Sequence, residues 1–265
     1  MDPRGDLLGY GFMRKIFAGV SRAPPDRLGV PGASRELGGR GRLAGSWNAL
    51  VPEAWLLTPG SGAVEHVIGG SHDCAGGWCP NCDRPLMQLM ALDLSDPALA
   101  AVVAPDPVLR LLFCHRCGVA WSPFFYALLP GDVRIVEAGR EPPMDEMPYD
   151  DYPVCFPPLV ASFVPLPAVH QEVIVRLNSG ALDEADLPRE LFHLDEPQHQ
   201  VGGEPYLMQG REELDCCACR RPMHFLAAVA DNCSDPRGFT SNEYVQVIYF
   251  MCTACTIVGA IQRCD

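Results

Sequence analysis

Asp215-Cys216-Cys217-Ala218-Cys219-Arg220-Arg221-Pro222-Met223, followed by Phe250-Met251-Cys252-Thr253-Ala254-Cys255, is the stretch from which the rest of the chain can be read. A C-x-x-C bend turns two sulfurs to one side of a tight turn, and two such bends supply the tetrahedral set of four thiolates that zinc prefers. An apolar run, Tyr244 to Met251, leads straight into the second pair and reads as a strand. Two C-x-x-C bends about thirty residues apart, with a strand before the second, are laid out as a zinc ribbon.

Upstream the same arrangement occurs once more. Trp78-Cys79-Pro80-Asn81-Cys82-Asp83-Arg84-Pro85-Leu86 is followed by Leu112-Phe113-Cys114-His115-Arg116-Cys117. The offsets are 216 − 79 = 137 and 252 − 114 = 138, so the paired bends stay in step across the chain. Each half also has a double glycine upstream, Gly69-Gly70 and Gly202-Gly203, which reads as a shared turn where backbone packs closely. The predicted ligands are therefore Cys79, Cys82, Cys114 and Cys117 for one ion and Cys216, Cys219, Cys252 and Cys255 for another. With all four positions taken by protein, such an ion leaves no place for water and is structural, not catalytic.

The fold expected from this is mainly β with minor helices (α+β), as two tandem copies of a β-rich module, each with a four-cysteine zinc ribbon. Gly 25 and Pro 26 favour short strands and many turns. Strands are predicted at Val108 to Phe113, Val133 to Val136, Val173 to Leu177 and Tyr244 to Met251, and a helix over Leu182 to Leu194 with Pro188 near its first turn. Domain boundaries follow composition: a flexible basic leader over 1–48, a first module over 49–140, an acidic Pro-rich linker over 141–158 and a second module over 159–265.

The remaining cysteines and histidines carry weaker signals. His72 and Cys74 lie just ahead of the first bend and Cys217 inside the third, but the register between the halves leaves them out of the ligand sets. Cys155, Cys233 and Cys264 have no partner at ligand spacing and read as small structural hydrophobes. His115, between two ligands, is assigned a surface role. No G-x-S-x-G, H-E-x-x-H or P-loop accompanies the Glu65-His66 or His72-Asp73-Cys74 groupings, so no enzyme is expected. A redox C-x-x-C needs a helix N-terminus inside a βαβ unit, a context missing here.

Net charge is −13, and residues 1–48 carry eight basic against four acidic residues, which leaves −13 − 4 = −17 for the rest. That balance repels phosphate backbones and attracts basic partners. No run of about 18 apolar residues exists, so a membrane span is not expected. Thirteen cysteines, an odd number with most of them in C-x-x-C pairs, suit a reducing compartment, so the cytoplasm is expected.

From Gln200-Val201-Gly202-Gly203-Glu204-Pro205-Tyr206-Leu207-Met208-Gln209 through the Cys216 and Cys219 pair, Met223-His224-Phe225-Leu226 and the Cys252 and Cys255 pair, the sequence resembles the bacterial YwqG-like family of unknown function. The same order is similar to the eukaryotic programmed-cell-death protein 2 relatives, which act as chaperones for a ribosomal protein. The likeness covers residues 198–265 well and 64–128 less closely, since Ser71-His72 stands where the family pattern has x-Pro after the double glycine. It implies a duplicated β-rich module without an established active site that binds a partner by sheet surface and ribbon, and the acidity of the chain suits a basic protein client for a chaperone-like or adaptor role. Two other functions fit the same residues: a toxin-neutralising immunity protein, and a nucleic-acid-binding zinc ribbon using Arg35 to Arg42, which the bulk charge opposes.

Overall fold

The computed structural model describes residues 48–115, 123–138, 154–194, 198–207, 209–230 and 245–264. The predicted 1–48 leader, apart from Asn48, and most of the 141–158 linker lie outside them. The described residues belong to one compact unit.

Among the described residues, eleven strands make a single sheet in which every paired neighbour is antiparallel. They are β1 (Trp55–Pro59), β2 (His66–Ile68), β3 (Met87–Asp93), β4 (Val108–Phe113), β5 (Phe124–Leu129), β6 (Asp132–Ala138), β7 (Leu159–Pro165), β8 (Gln200–Val201), β9 (His224–Ala230), β10 (Val245–Cys252) and β11 (Ile257–Cys264). Their order in the sheet is β4-β3-β2-β7-β1-β8-β9-β10-β11-β5-β6.

This order shows how the halves are joined. The first strand of each half sits beside the second strand of the other: β1 pairs with β8, β7 with β2, and β1 and β7 with each other. In the β1–β7 pair Leu57 lies opposite Phe163 and Pro59 opposite Ala161, with Thr58 opposite Ser162 at the point where the two halves exchange. The double glycines extend the exchange. The Gly70 amide donates at 2.9 Å to the carbonyl of Phe156, just ahead of β7, and the Gly203 amide to the Val51 carbonyl of the first half at 3.0 Å. All four glycines have φ between +57° and +83°. Each half thus completes the other's sheet.

Within each half the same hydrogen bonds recur. The Gly69 amide donates to the Leu89 carbonyl at 2.9 Å and the Gly202 amide to the Leu226 carbonyl at 3.0 Å, and 226 − 89 = 137. Leu89 and Leu226 are also the unpaired extra residues of the two β-bulges, between β3 and β4 and between β9 and β10. The bulge bends each hairpin towards its glycine turn, so the predicted shared turn is a shared bulge as well.

Burial follows position in the sheet. β10 is buried along its whole length, because apolar clusters lie on both of its faces. One contains Tyr126, Val229, Val247, Tyr249 and Met251. The other contains Phe225, Ile248, Phe250 and Ile257, with the Phe225 and Phe250 rings edge to face at 6.2 Å. β6, at the sheet's end, instead alternates, with Val133 buried and Arg134 exposed.

The repeat breaks at its last strand. β11 pairs with β10, but its counterpart β5 pairs with β11, and among the described residues β4 is left as a free edge. The sheet curls so that β5 still reaches that edge through one side chain: the Tyr126 hydroxyl accepts from the Leu112 amide at 3.1 Å and donates to the Arg110 carbonyl at 3.0 Å. A phenol thus satisfies backbone groups that an edge strand would otherwise present.

Helical structure departs from expectation. Val173 to Leu177, predicted as a strand, lies in the one described α-helix, α1 (Ala168–Asn178). Leu182 to Leu194, predicted as a helix, holds two 3₁₀ segments, Glu184–Asp186 and Arg189–Leu194, with Pro188 between them breaking any α-helical run. α1 is flanked by Pro167 at its N-cap and Ser179 at its C-cap, with Gly180 at φ +69° beyond. It is tied down by polar contacts, which leave little apolar periodicity to read. Gln171 Nε2 donates to the Glu204 carbonyl at 2.6 Å, and Asn178 Nδ2 to Glu204 Oε1 at 3.0 Å and the Pro205 carbonyl at 2.8 Å.

Substitution tests both the glycine turn and a buried histidine. A Cβ on Gly202 would strike the Glu53 and Val51 carbonyls while φ sits at +70°. Gly202→Ala is expected to lower stability by about 3 kcal/mol, whereas Gly131→Ala, with open space around it, should lose only the milder penalty of its positive φ, about 1 kcal/mol, in denaturant titrations. The second test concerns His199, whose Nδ1 accepts the Ala230 amide at 3.3 Å and whose burial lowers its pKa to about 3. Its unfolded form protonates near 6.5, so stability is lost as pH falls from about 6.5 towards 3, about 2 kcal/mol of it by pH 5. His199→Gln should flatten that slope between pH 6.5 and 5; an unchanged slope contradicts the assignment.

Candidate metal centres

The two C-x-x-C bends that begin the ribbons are built alike. In the first, the Cys79 amide donates to the Arg84 carbonyl at 2.8 Å and the Asp83 amide to the Cys79 carbonyl at 2.9 Å. In the second, the Cys216 amide donates to the Arg221 carbonyl at 2.9 Å and the Arg220 amide to the Cys216 carbonyl at 2.8 Å. Bridges Trp78 to Pro85 and Asp215 to Pro222 close the two loops. The residue after each second cysteine is left-handed, Asp83 at φ +51° and Arg220 at +58°, as is Thr256 after Cys255 at +53°. A non-glycine residue in this region costs about 1 to 2 kcal/mol, so something in each bend must over-determine it.

That something is the approach of the sulfurs. Cys216, Cys219, Cys252 and Cys255 bring all four Sγ atoms within 4.8 Å of one another, and Cys79, Cys82 and Cys114 do the same with three. Cys219 and Cys252 are 3.6 Å apart and Cys82 and Cys114 3.8 Å. Four sulfurs placed about 2.3 Å from a common ion at tetrahedral angles would be about 3.8 Å apart. These are ligand-set spacings, far longer than a disulfide's ~2.05 Å, and no described cysteine is joined in a disulfide. Cys117 lies outside the described residues.

Each set clamps one hairpin. The first bend leads into β3 or β9 and the second leaves β4 or β10, its neighbour in the sheet, so the sulfur cluster joins the ends of two paired strands. One ligand of each bend is buried, Cys79 or Cys216, and the other partly exposed, Cys82 or Cys219. The neighbouring Cys114 thiol and burial push the Cys79 thiol well above its ordinary range. Cys219 differs: Arg221 Nε donates to its sulfur at 3.5 Å, which lowers it to about 6 and favours the thiolate that binds metal. Close thiolates repel one another, and a dication among them removes the repulsion. The donor chemistry fits a metal ion in both places.

The other candidates separate from these sets. Cys74, buried, and Cys217, partly exposed, belong to neither. His72 Nε2 hydrogen-bonds the Leu86 carbonyl at 2.8 Å. His66 is structural: its Nδ1 accepts the Asp93 amide at 3.1 Å and its Nε2 faces Asp96 at 3.3 Å. His115 corrects the surface assignment, being 4% exposed between the Phe113 and Phe156 rings, with burial lowering its pKa to about 4. Cys155 is exposed and not the buried hydrophobe expected; Cys233 and the side chain of Cys264 lie outside the described residues. Sequence reasoning missed Arg221, whose only signal is its position two residues after a ligand.

Compared with protein-family models, curated proteins and solved structures, the chain has no match.

Cys219→Ser is expected to remove the metal of the second centre and unfold its hairpin, while Cys217→Ser leaves it bound. Cys117→Ser should weaken the first centre in the same way, and Cys155→Ser should not. Metal retention against a chromophoric chelator, followed with near-ultraviolet circular dichroism, measures each. Equal retention by the Cys219 and Cys217 variants would overturn the ligand assignment.

Proposed function

We propose that this chain is a non-enzymatic, zinc-stabilised binding module that holds a basic protein client, as a chaperone or adaptor does. The observation that carries the reading is the closed sulfur set of Cys216, Cys219, Cys252 and Cys255. Four protein thiolates leave a zinc ion no open position, so the metal would hold the hairpin and supply no nucleophile. The two histidines that the sequence groups with acids or a cysteine, His66 and His72, are each in hydrogen bonds within the fold. The charge of −17 over 49–265 supplies long-range attraction for a basic partner and discourages nucleic acid. The resemblance of residues 198–265 to the YwqG-like family and the programmed-cell-death protein 2 chaperones supports the same reading. No helix among the described residues is long and apolar enough to cross a membrane, and a cytoplasmic location is part of the proposal.

The full chain, zinc-loaded and immobilised, is expected to capture one basic protein from a lysate of its own host at about 50 mM salt and to release most of it by about 500 mM, as screening of exposed charges requires. An empty eluate at low salt, or capture of nucleic acid alone, contradicts the reading.

A further inference from the structure

The free edge of β4 and the β5–β6 hairpin face each other across the seam where the sheet fails to close. In the second half the corresponding strands, β10 and β11, pair along their whole length, from Val245 opposite Cys264 to Cys252 opposite Ile257. In the first half, among the described residues, side chains bridge the gap in place of a strand ladder. The Tyr126 hydroxyl spans its middle, and further along the Asp106 carboxylate accepts the Gly131 amide at 2.9 and 3.0 Å. Asp132, at the start of β6, accepts the Gly76 amide at 2.7 Å and that of Val133 at 2.7 Å. Between these ties remains a cavity of about 190 Å³, lined in part by Pro107, Leu109 and Leu128.

We propose that this seam cavity receives one arginine or lysine side chain of a basic polypeptide partner. The inference rests on the client reading given above and assigns it a contact point. Size decides against larger guests: pockets for cofactors and drug-sized ligands run about 300 to 1,000 Å³, and this one has room for a single side chain. Charge decides the kind of side chain. Asp73, Asp106 and Asp132 line the cavity against one guanidinium, Arg110, and Arg110 is already paired with Asp73 at 2.9 Å. Asp106 and Asp132 are therefore left to meet a cation. Both are held in place by backbone amides, and those amides keep the Asp132 carboxyl below its ordinary pKa. A long cationic side chain suits both surfaces, its methylenes on proline and leucine and its head at the carboxylates. An anion would meet unfavourable charge at the rim.

The test uses the full zinc-loaded chain, ¹⁵N-labelled, titrated with Nα-acetyl-arginine amide. The amides of Gly76, Gly131 and Val133 are expected to shift and saturate, and Nα-acetyl-citrulline amide, which has the shape without the charge, to leave them in place. In Asp106→Asn/Asp132→Asn, where the side-chain oxygens still accept the backbone amides, binding should weaken by at least about five-fold, the effect of losing two exposed charge contacts. Equal shifts from citrulline, the same shifts from magnesium chloride, or no saturable shift at these amides would each overturn the proposal. Client capture separates it from the wider reading. If the double variant, still folded and zinc-loaded, captures the client as well as the parent does, the cavity is not the contact and the binding function stands. If the parent captures nothing at low salt, the binding function falls and the arginine titration still decides the cavity.

Discussion

Sulfur atoms held within 4.8 Å of one another at the ends of paired strands are the constraint on which the rest of the structure depends. They fix the relative position of the bend that starts β9 and the bend that ends β10, and the first half repeats the device with β3 and β4. The left-handed residues Asp83, Arg220 and Thr256, each directly after a cysteine, are conformations the chain would not choose freely. A metal bound by four thiolates is worth enough, about 10 to 16 kcal/mol in small peptides, to hold such bends in place. The bulges at Leu89 and Leu226 then carry each clamped hairpin to its glycine turn, and the turn reaches across to the other half.

That reach turns two similar halves into one body. Because β1 and β7 are exchanged, strands of each half pair with strands of the other. A sheet organised in this way has one place where its symmetry is broken, between β4 and β5, and that is where the cavity lies. The first ribbon sits at the end of β4, the strand that forms one side of that seam.

The ribbons are legible in the sequence because ligand geometry restricts it so tightly: two thiolates in one turn require C-x-x-C, and offsets of 137 and 138 residues repeat it. Strands β4, β6 and β10 are legible from runs of branched and aromatic residues. The strand exchange is not, since β2 and β8 hold only three and two residues and nothing in Thr58 or Ser162 tells which partner β1 and β7 meet. α1 carries the signature of a strand because Val173, Ile174 and Val175 have strong β preference, and the contacts that decide the matter, from Gln171 and Asn178 to Glu204 and Pro205, come from a distant segment. The position of His115 in its bend points to the surface, but the folding of Phe156 over it lies beyond local sequence.

The most direct test of the central claim is zinc-edge X-ray absorption on the purified full chain, combined with its metal content. Two zinc ions per chain, each with four sulfur neighbours at about 2.3 Å and no nitrogen or oxygen in the inner shell, is the result this account predicts. One ion or none per chain, a mixed shell of sulfur with nitrogen or oxygen, or cysteines joined as disulfides would contradict it.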